Sequence, residues 1–544
     1  MKKVYLLLAL LLSANIYAQD IEKGNRIPST YDRSSITVFY MKFPGENHAS
    51  EVEAKFPQVK FTDKYYNNNL DALVFEAPFT RGDASVVPTK AIESFLMQNG
   101  ISKSIVSKWY NRKDDGSMDL DLIFDRGMFN ATDAQYIKAQ ATKRGDNILK
   151  DYGNRLVEKS YILVLDYQSV LSMKEAKVEK MKGWKATVNG YLFKVKFNEE
   201  TQNALYDCWI YPEDSPAVRQ EKIKKFQELN IPIEFVTQTI VYVTASQPTE
   251  DTQLGKLIKQ KTEDQLLAEL VQKGYDETLY YLEMKHEDFM VKTTIHQVGP
   301  IRAKIGLKEG LKCDHRYFAY EYVYNEKTNS VEPRFRGVIR ATSKIVDNRQ
   351  VAKGDMPTSQ FYQTAGRKLR EGYLLRQQND LGLELLVGYE AGEVGGIYGR
   401  IDARMGRYIG VRALFVYVEG GVQAKDYDIG FSTYEGVAFL HYGAGLAKGF
   451  MLTRNVELRP YVGLGQEQAS HSDFDNGSLK VLYLKAGANL ALNLKHNFQL
   501  MGGIGSYSFI GNAENDNGDT GLTWDEIFTD RKGMATMFGV KFMF

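Results

Sequence analysis

The chain has 544 residues, 43% of them hydrophobic and 25% charged, with a formal net charge of +1. That mix excludes an intrinsically disordered protein, and the balanced charge gives nucleic acid no electrostatic footprint. The length allows about two to four domains, and no run of about 18 apolar residues offers a membrane-spanning helix.

Lys2 and Lys3 precede an apolar run, residues 4–12, that is too short to cross a bilayer. Ala18 ends a cleavage site with Ile16 at the −3 position, so residues 1–18 read as a secretory signal peptide. No cysteine lies near the cleavage point, which excludes a lipoprotein. The Ala18-Gln19 junction resembles that of exported proteins of the Bacteroidota. Cys208 and Cys313 are the only cysteines. An exported location permits a disulfide, and the sequence leaves their pairing open.

Residues 19–246 read as an α/β domain, either α+β or three-layered. Strands are expected at 35–43, 72–75, 101–109, 161–167, 184–197 and 233–243. Helices are expected at 89–99, stopped by Gly100, at 132–143 behind the capping-box spacing of Thr132 and Gln135, at 147–159, and at 215–229.

Residues 247–347 hold a helix at 264–284 and then a nearly all-β stretch, a small β module with a hairpin loop at 325–329. Within it, Ile305-Gly306-Leu307-Lys308-Glu309-Gly310-Leu311 resembles the glycine-containing turn of small β modules in envelope assembly proteins, including the flagellar and curli secretion families. A generic hairpin has the same composition. Residues 348–380 read as a helical connector: 358–370 places Phe361, Ala365 and Leu369 on one helical face, and 374–380 leads into the last region.

Residues 381–544 read as eight β-strands, near 381–390, 395–405, 408–419, 435–451, 455–468, 479–494, 496–509 and 532–544. In the sixth, Leu482, Leu484, Leu490 and Leu492 alternate with Tyr483, Lys485, Gly487 and Asn489. Strands of that length can cross a bilayer when tilted. Connections near Gly406, Thr453 and Lys495 are tight, and those near Asp426, Asp473 and Asp516 are long and polar. Such alternation distinguishes the two rims of an up-and-down antiparallel transmembrane barrel. The tight-turn rim faces the periplasm, so residues 19–380 are expected there.

By phase, Glu384, Arg400, Asp402, Arg404, Arg412, Glu457, Arg459, Lys485 and Lys541 point into the barrel. Eight strands leave room for side chains and little else, so an interior network of ion pairs is expected. His441 falls on the same phase and joins that network. Pro460 falls on the outer phase, where it predicts a bulge, because proline cannot donate to the ladder. Lys448, also in outer phase, lies near the rim and can snorkel.

The remaining motifs carry little chemistry. Walker A, GxSxG, HExxH and CxxC pairs are absent from the sequence, and no cofactor or metal is implied. Gly392, Gly395 and Gly396 resemble a phosphate loop but sit in a barrel hairpin. Asp114-Asp115-Gly116 and Asp473-Phe474-Asp475-Asn476-Gly477 resemble calcium loops without the ligand phase of an EF-hand, and turn chemistry explains them. Ser470, His471, Ser472 and Asp473 contain the residue types of a catalytic dyad in an external loop. Catalysis would need base and nucleophile within hydrogen-bond reach.

Strand count, loop alternation and the terminal Phe544 together resemble small outer-membrane barrels of the OmpA/OmpX type over residues 381–544. The resemblance implies an α+β periplasmic region followed by an outer-membrane barrel, with Phe544 as the signal read by the barrel assembly machinery. Here the soluble region precedes the barrel, and no peptidoglycan-binding module is evident, so peptidoglycan tethering does not transfer. The expected partners are outer-membrane lipid, the assembly machinery and an unidentified periplasmic protein. The favoured function is a non-catalytic envelope protein whose barrel anchors protein-binding domains. The alternative is a barrel enzyme acting on lipid or peptide at the external rim. A narrow channel is a third, disfavoured because the lumen should be full.

Overall fold

The computed structural model describes residues 33–68, 70, 73–130, 154–325, 327, 330–349, 357–429, 432–474, 477–529, 531 and 533–544. The signal peptide expected at 1–18, the helix expected at 132–143 and most of that expected at 147–159 lie outside the described residues.

The first unit is a three-layer α/β sandwich. Its strands are β1 (Ser35–Lys42), β2 (Tyr66–Asn67), β3 (Val74–Glu76), β4 (Ser160–Ser172), β5 (Met181–Val195) and β6 (Ile233–Pro248). The sheet order is β2-β1-β4-β5-β6, with β3 also on β1. Pairing is parallel around β1 and antiparallel from β4 to β6. β1 and the first eight residues of β4 are almost continuously buried because both faces of the sheet are covered.

Helices α1 (Ala49–Lys55), α2 (Pro88–Gln98), α3 (Ile101–Trp109), α4 (Asp121–Asn130), α5 (Glu199–Tyr206), α6 (Pro216–Glu228), α7 (Gln253–Leu257) and α8 (Glu263–Lys285) complete the unit. Val52 of α1 and Leu266, Leu270 and Leu282 of α8 pack in one core with Ile36, Leu163 and Val241. Ile92, Trp109, Leu205 and Phe226 form the opposite core with Phe39 and Val164.

Two expectations change here. Residues 101–109 form a helix, not a strand. Gly100, at φ 63, breaks α2 from α3, and Ile105, Val106 and Trp109 lie on one buried helical face. Their β-branched content suggested a strand, but burial against the sheet overrides propensity. In addition, α8, opened by a Thr262–Gln265 capping box, covers the first sheet. The α/β unit therefore runs past residue 246 to the end of α8.

The second unit is a closed barrel of β7 (Lys292–Val298), β8 (Ile301–Ala303), β9 (Arg316–Asn325), β10 (Ser330–Ala341), β11 (Ser359–Gly366) and β12 (Leu374–Gln377), in the order β10-β11-β8-β7-β12-β9. The described part of the connector expected at 348–380 thus supplies two strands of the module, and the helix expected at 358–370 is replaced by the strand β11. Phe361 and Ala365 are four apart, a spacing that lies on one face of a helix and of a strand alike. The tie goes to the strand because β11 fills the gap between β10 and β8. The 305–311 stretch links β8 to β9 through a 3₁₀ turn, Leu307–Glu309, closed by Gly310 at φ 67.

The third unit comprises β13 (Leu383–Ala391), β14 (Gly396–Arg404), the short helix α9 (Gly406–Ile409), β15 (Leu414–Ile429), β16 (Ser432–Lys448), β17 (Phe450–Met451), β18 (Val456–Ser470), β19 (Leu479–Lys495), β20 (Phe498–Asn515), β21 (Gly518–Thr523), the short helix α10 (Trp524–Ile527) and β22 (Gly533–Met543). Eight long antiparallel strands close on themselves through β16–β18 and β13–β22. The fold is therefore an α+β region followed by an eight-stranded up-and-down barrel.

Three local expectations are corrected. The connection near Gly406 is not tight: the third strand begins at Leu414, not near 408, because α9 occupies the turn and Ala413 adopts φ 49. The connection near Asp426 is a ribbon, not a long loop, since β15 and β16 stay paired out to Ile429 and Ser432. Pro460 makes no bulge. Pairing with β19 is regular through it. On its other side the ladder lapses after Ala447 and resumes at Phe450 in the same register.

Candidate functional site: the barrel lumen and its two ends

Alternation sorts the barrel strands by face. Ile397, Val418, Leu464, Leu482, Ile504 and Phe538 stand exposed on the outside. Inside, the described strands and loops bury six carboxylates (Glu384, Glu390, Asp402, Glu419, Glu457, Glu467) against six cations (Arg400, Arg404, Arg459, Lys485, Arg531, Lys541). Large and small residues interlock there. A Cβ on Gly465 would lie 2.3 Å from the Tyr483 ring, and one on Gly487 would lie 2.6 Å from the Tyr461 hydroxyl.

The charges form layers. Nearest the tight-turn rim, Glu384 accepts from Arg404 at 2.8 Å, Arg459 at 2.7 Å and Lys541 at 3.2 Å. Asp402 accepts from Lys541 at 2.5 Å and from Arg400 at 2.6 Å. Arg459 also donates twice to Glu457 at 3.0 Å. In the middle, Lys485 donates to Glu390 at 2.7 Å and to Glu419 at 3.3 Å, with the Tyr507 hydroxyl donating to Glu390 at 2.8 Å. His441 is fully buried, its Nε2 3.5 Å from Glu390. Buried charges of this kind are tolerable only when paired and hydrogen-bonded.

Arg412 is the exception among the residues assigned inward. It lies in the exposed loop before β15, over the Tyr362 ring of the module. The left-handed Ala413 resets the alternation between it and the strand. Lys448 stays in outer phase and donates to the Arg412 carbonyl at the rim. Phase reasoning omitted Glu390, Glu419 and Glu467, although all three alternate inward. Arg531 comes from a loop, where no periodicity could reveal it.

Both ends of the lumen are covered. At the long-loop end, α10 folds inward, and Trp524, Ile527 and Phe528 pack with Tyr427, Val437 and Phe439. Trp524 Nε1 donates to Glu467 at 2.9 Å. At the tight-turn end the small module docks on the barrel. Asp314 accepts from the Ala413 amide and the Tyr362 hydroxyl, both at 2.7 Å. Asn455 accepts from the Gly366 amide at 2.7 Å.

Asp380 ties all three units. It accepts from Arg340 of the module and, at 2.6 Å, from Arg407 of the barrel turn. Tyr280 of α8 donates to its carbonyl at 3.2 Å. Burial opposes ionisation there, but the guanidiniums of Arg340, Arg316 and Arg407 hold this carboxyl well below the usual range. On the far side of the module, Arg33 pairs with Glu309 at 2.6 Å, and Lys64 donates to Gln377 at 3.1 Å.

The serine–histidine cluster lacks a dyad's geometry. His471 Nε2 meets the Glu435 carbonyl at 3.1 Å, its Nδ1 accepts from the Asp473 amide, and Ser472 Oγ donates to Asp473. Ser470 ends β18 in solvent. Asp115 accepts from both the amide and the hydroxyl of Ser117, which closes a turn. Cys208 and Cys313 are separate buried thiols. Phe544 completes the seam, its amide donating to the Leu383 carbonyl at 2.9 Å.

No protein-family model matches this chain, and no curated protein does. Solved structures similar to part of it include the N-terminal β-barrel domain of Pseudomonas aeruginosa OprF, at 16% identity over 31% of this chain and 100% of that one, with a TM-score of 0.21. A major outer membrane protein from Thermus thermophilus matches at 18% identity, over 30% of this chain and 99% of that one, with a TM-score of 0.23. Neisserial surface protein A matches at 14% identity, over 30% and 94%, with a TM-score of 0.20.

Proposed function

We propose that this protein is a non-catalytic outer-membrane component, in which the barrel anchors a periplasmic assembly that binds another protein. The carrying observation is the pairing of an apolar outer belt with a filled, charge-balanced lumen whose two ends are covered. Such a barrel suits lipid outside and offers no conduit inside. The leader read in residues 1–18 supports export. The soluble units dock on the rim that carries the connections near Gly406, Thr453 and Lys495, where the chain also enters the barrel at Leu383, which supports placing residues 19–380 in the periplasm. Phe544 would be read by the barrel assembly machinery.

The binding role draws on β6. It ends the sheet order, and among the described residues no strand pairs with its outer edge. Ile240 is 55% exposed and Tyr242 84% exposed on it. A long edge strand with exposed apolar side chains is a ready template for an added strand. A photo-crosslinker placed at Tyr242 in intact envelopes should capture one discrete periplasmic protein. Fractionation with the outer membrane but no adduct would leave the anchor and remove the binding face. Recovery in the soluble fraction would remove both.

A further inference from the structure

Where the module meets the barrel's tight-turn rim, the two enclose a cavity of ≈ 200 Å³. Tyr362 and Thr364 of β11 line one side, and Arg412, Asn493, Lys495 and Gln499 of the barrel line the other. We propose that this cavity is a binding site for a phosphate group, supplied in the envelope by a phospholipid headgroup. The lipid source rests on the membrane reading above; the phosphate chemistry does not.

The lining is cationic and partly unspent. Glu457 lines the cavity too, but Arg459 engages both its oxygens. Arg404 is committed to Glu384, and Arg340 to Asp380. Among the described residues no carboxylate pairs with Arg412 or Lys495, and both are exposed at the cavity mouth. An anion seated between them would gain two charge-assisted partners, and a guanidinium matches phosphate geometry.

The second observation is deeper in the wall. Asn493 is 6% exposed and Gln499 2% exposed. Gln499 Nε2 donates to Asn493 Oδ1 at 2.5 Å, which leaves Asn493 Nδ2 and Gln499 Oε1 without partners. Exchanging the oxygen and nitrogen assignments of both amides still leaves one donor and one acceptor. Buried polar groups are rarely left unmade, because each costs its desolvation. A headgroup satisfies both: a phosphate oxygen accepts from the amide, and a hydroxyl beside it donates to the carbonyl.

The rim favours a lipid as the source. Tyr408, Ile409 and Val411 stand exposed beside Arg412, and Phe450 and Leu452 beside them on the next turn. Lys448 links the two turns through the Arg412 carbonyl. An apolar flank next to a basic mouth fits acyl chains below a headgroup.

The test uses purified full-length protein, stripped of lipid in a neutral detergent, with heat-modifiable gel mobility as the check of a folded barrel. It is titrated with dihexanoyl phosphatidylglycerol and, separately, with inorganic phosphate, and binding is read by native mass spectrometry and calorimetry. The expected result is saturable one-site binding of the lipid, weakened about tenfold or more by Arg412→Ala and by Lys495→Ala. Asn493→Asp should also abolish it, since that variant keeps the Gln499 bond but turns the unpaired donor into a carboxylate oxygen. Equally tight binding of inorganic phosphate, with the same dependence on these residues, keeps the phosphate site and overturns the lipid source. Retained mobility without binding, or binding indifferent to all three substitutions, overturns the proposal. Loss of heat-modifiable mobility in the unaltered protein would instead overturn the membrane-barrel reading.

Discussion

Arg531, from the last long loop, holds Glu467 of β18 in a two-point pair, at 2.6 and 3.0 Å, with both side chains fully buried. Its guanidinium lies 3.4 Å from the Phe439 ring centre. This pair and the Trp524 contact to Glu467 hold α10 in the barrel mouth. Arg531→Ala strands a buried carboxylate and should cost about 3–5 kcal/mol. Urea unfolding in detergent should show that loss, and protease should cut the loop after β20 more readily. Adding Glu467→Gln to Arg531→Gln should recover much of the loss, because no charge is then left unpaired.

Neighbouring positions on β19 should respond in opposite ways. Leu484 faces outward, whereas Lys485 is buried against Glu390 and Glu419. Near a bilayer midplane, Leu484→Arg should cost about 2–4 kcal/mol, and Leu484→Ala less. Lys485→Arg should be the milder arginine substitution, since it keeps the charge. Refolding titrations into lipid vesicles measure both. Equal tolerance of arginine at the two positions would mean the wrong face meets lipid.

Asp380 gives the junction a pH dependence. Its carboxyl is held well below the usual range in the folded protein, against about 3.9 when unfolded. The stability it supplies is therefore complete above the unfolded value and is lost as pH falls through the folded one. Asp380→Asn should loosen the docking of the module by about 3–5 kcal/mol at neutral pH, since Arg340 and Arg407 lose a buried counter-charge. The difference between variant and parent should shrink on acidification. Hydrogen exchange at β9, β10 and the α9 turn reports it.

The barrel was legible because each strand alternates and the lumen must pair its charges. Two failures share one cause, that a local pattern admits two periods. Phe361 and Ala365 suit a helix or a strand, and only the gap between β10 and β8 chooses. Ile105, Val106 and Trp109 suit either as well, and only the sheet beneath them chooses. Arg412 was misassigned because a single left-handed alanine shifts the phase, and alanine gives no warning of it. The cavity between module and barrel had no sequence signal, because its walls come from distant parts of the chain.

Helix α8 should belong energetically to the α/β unit. A Cβ on Gly274 would meet the Tyr167 ring at 2.5 Å, and Tyr167 donates to the Val271 carbonyl at 2.6 Å. Gly274→Leu should therefore overpack this contact and cost about 1–3 kcal/mol. Thermal unfolding followed by near-ultraviolet circular dichroism should show the soluble units melting earlier while the barrel transition stays in place.

Thiol labelling from outside the cell reads directly which side of an outer membrane each part of the chain occupies. Asp473 lies in a long loop, and Lys224 on α6 is exposed in the α/β unit. The native thiols are buried, and burial pushes Cys313 up to about 11, so neither adds background. Sealed cells carrying Asp473→Cys or Lys224→Cys are treated with a membrane-impermeant maleimide. The Asp473→Cys protein should label at once and the Lys224→Cys protein only after the outer membrane is opened. Labelling of the Lys224→Cys protein in sealed cells would contradict this placement and put the large N-terminal region outside.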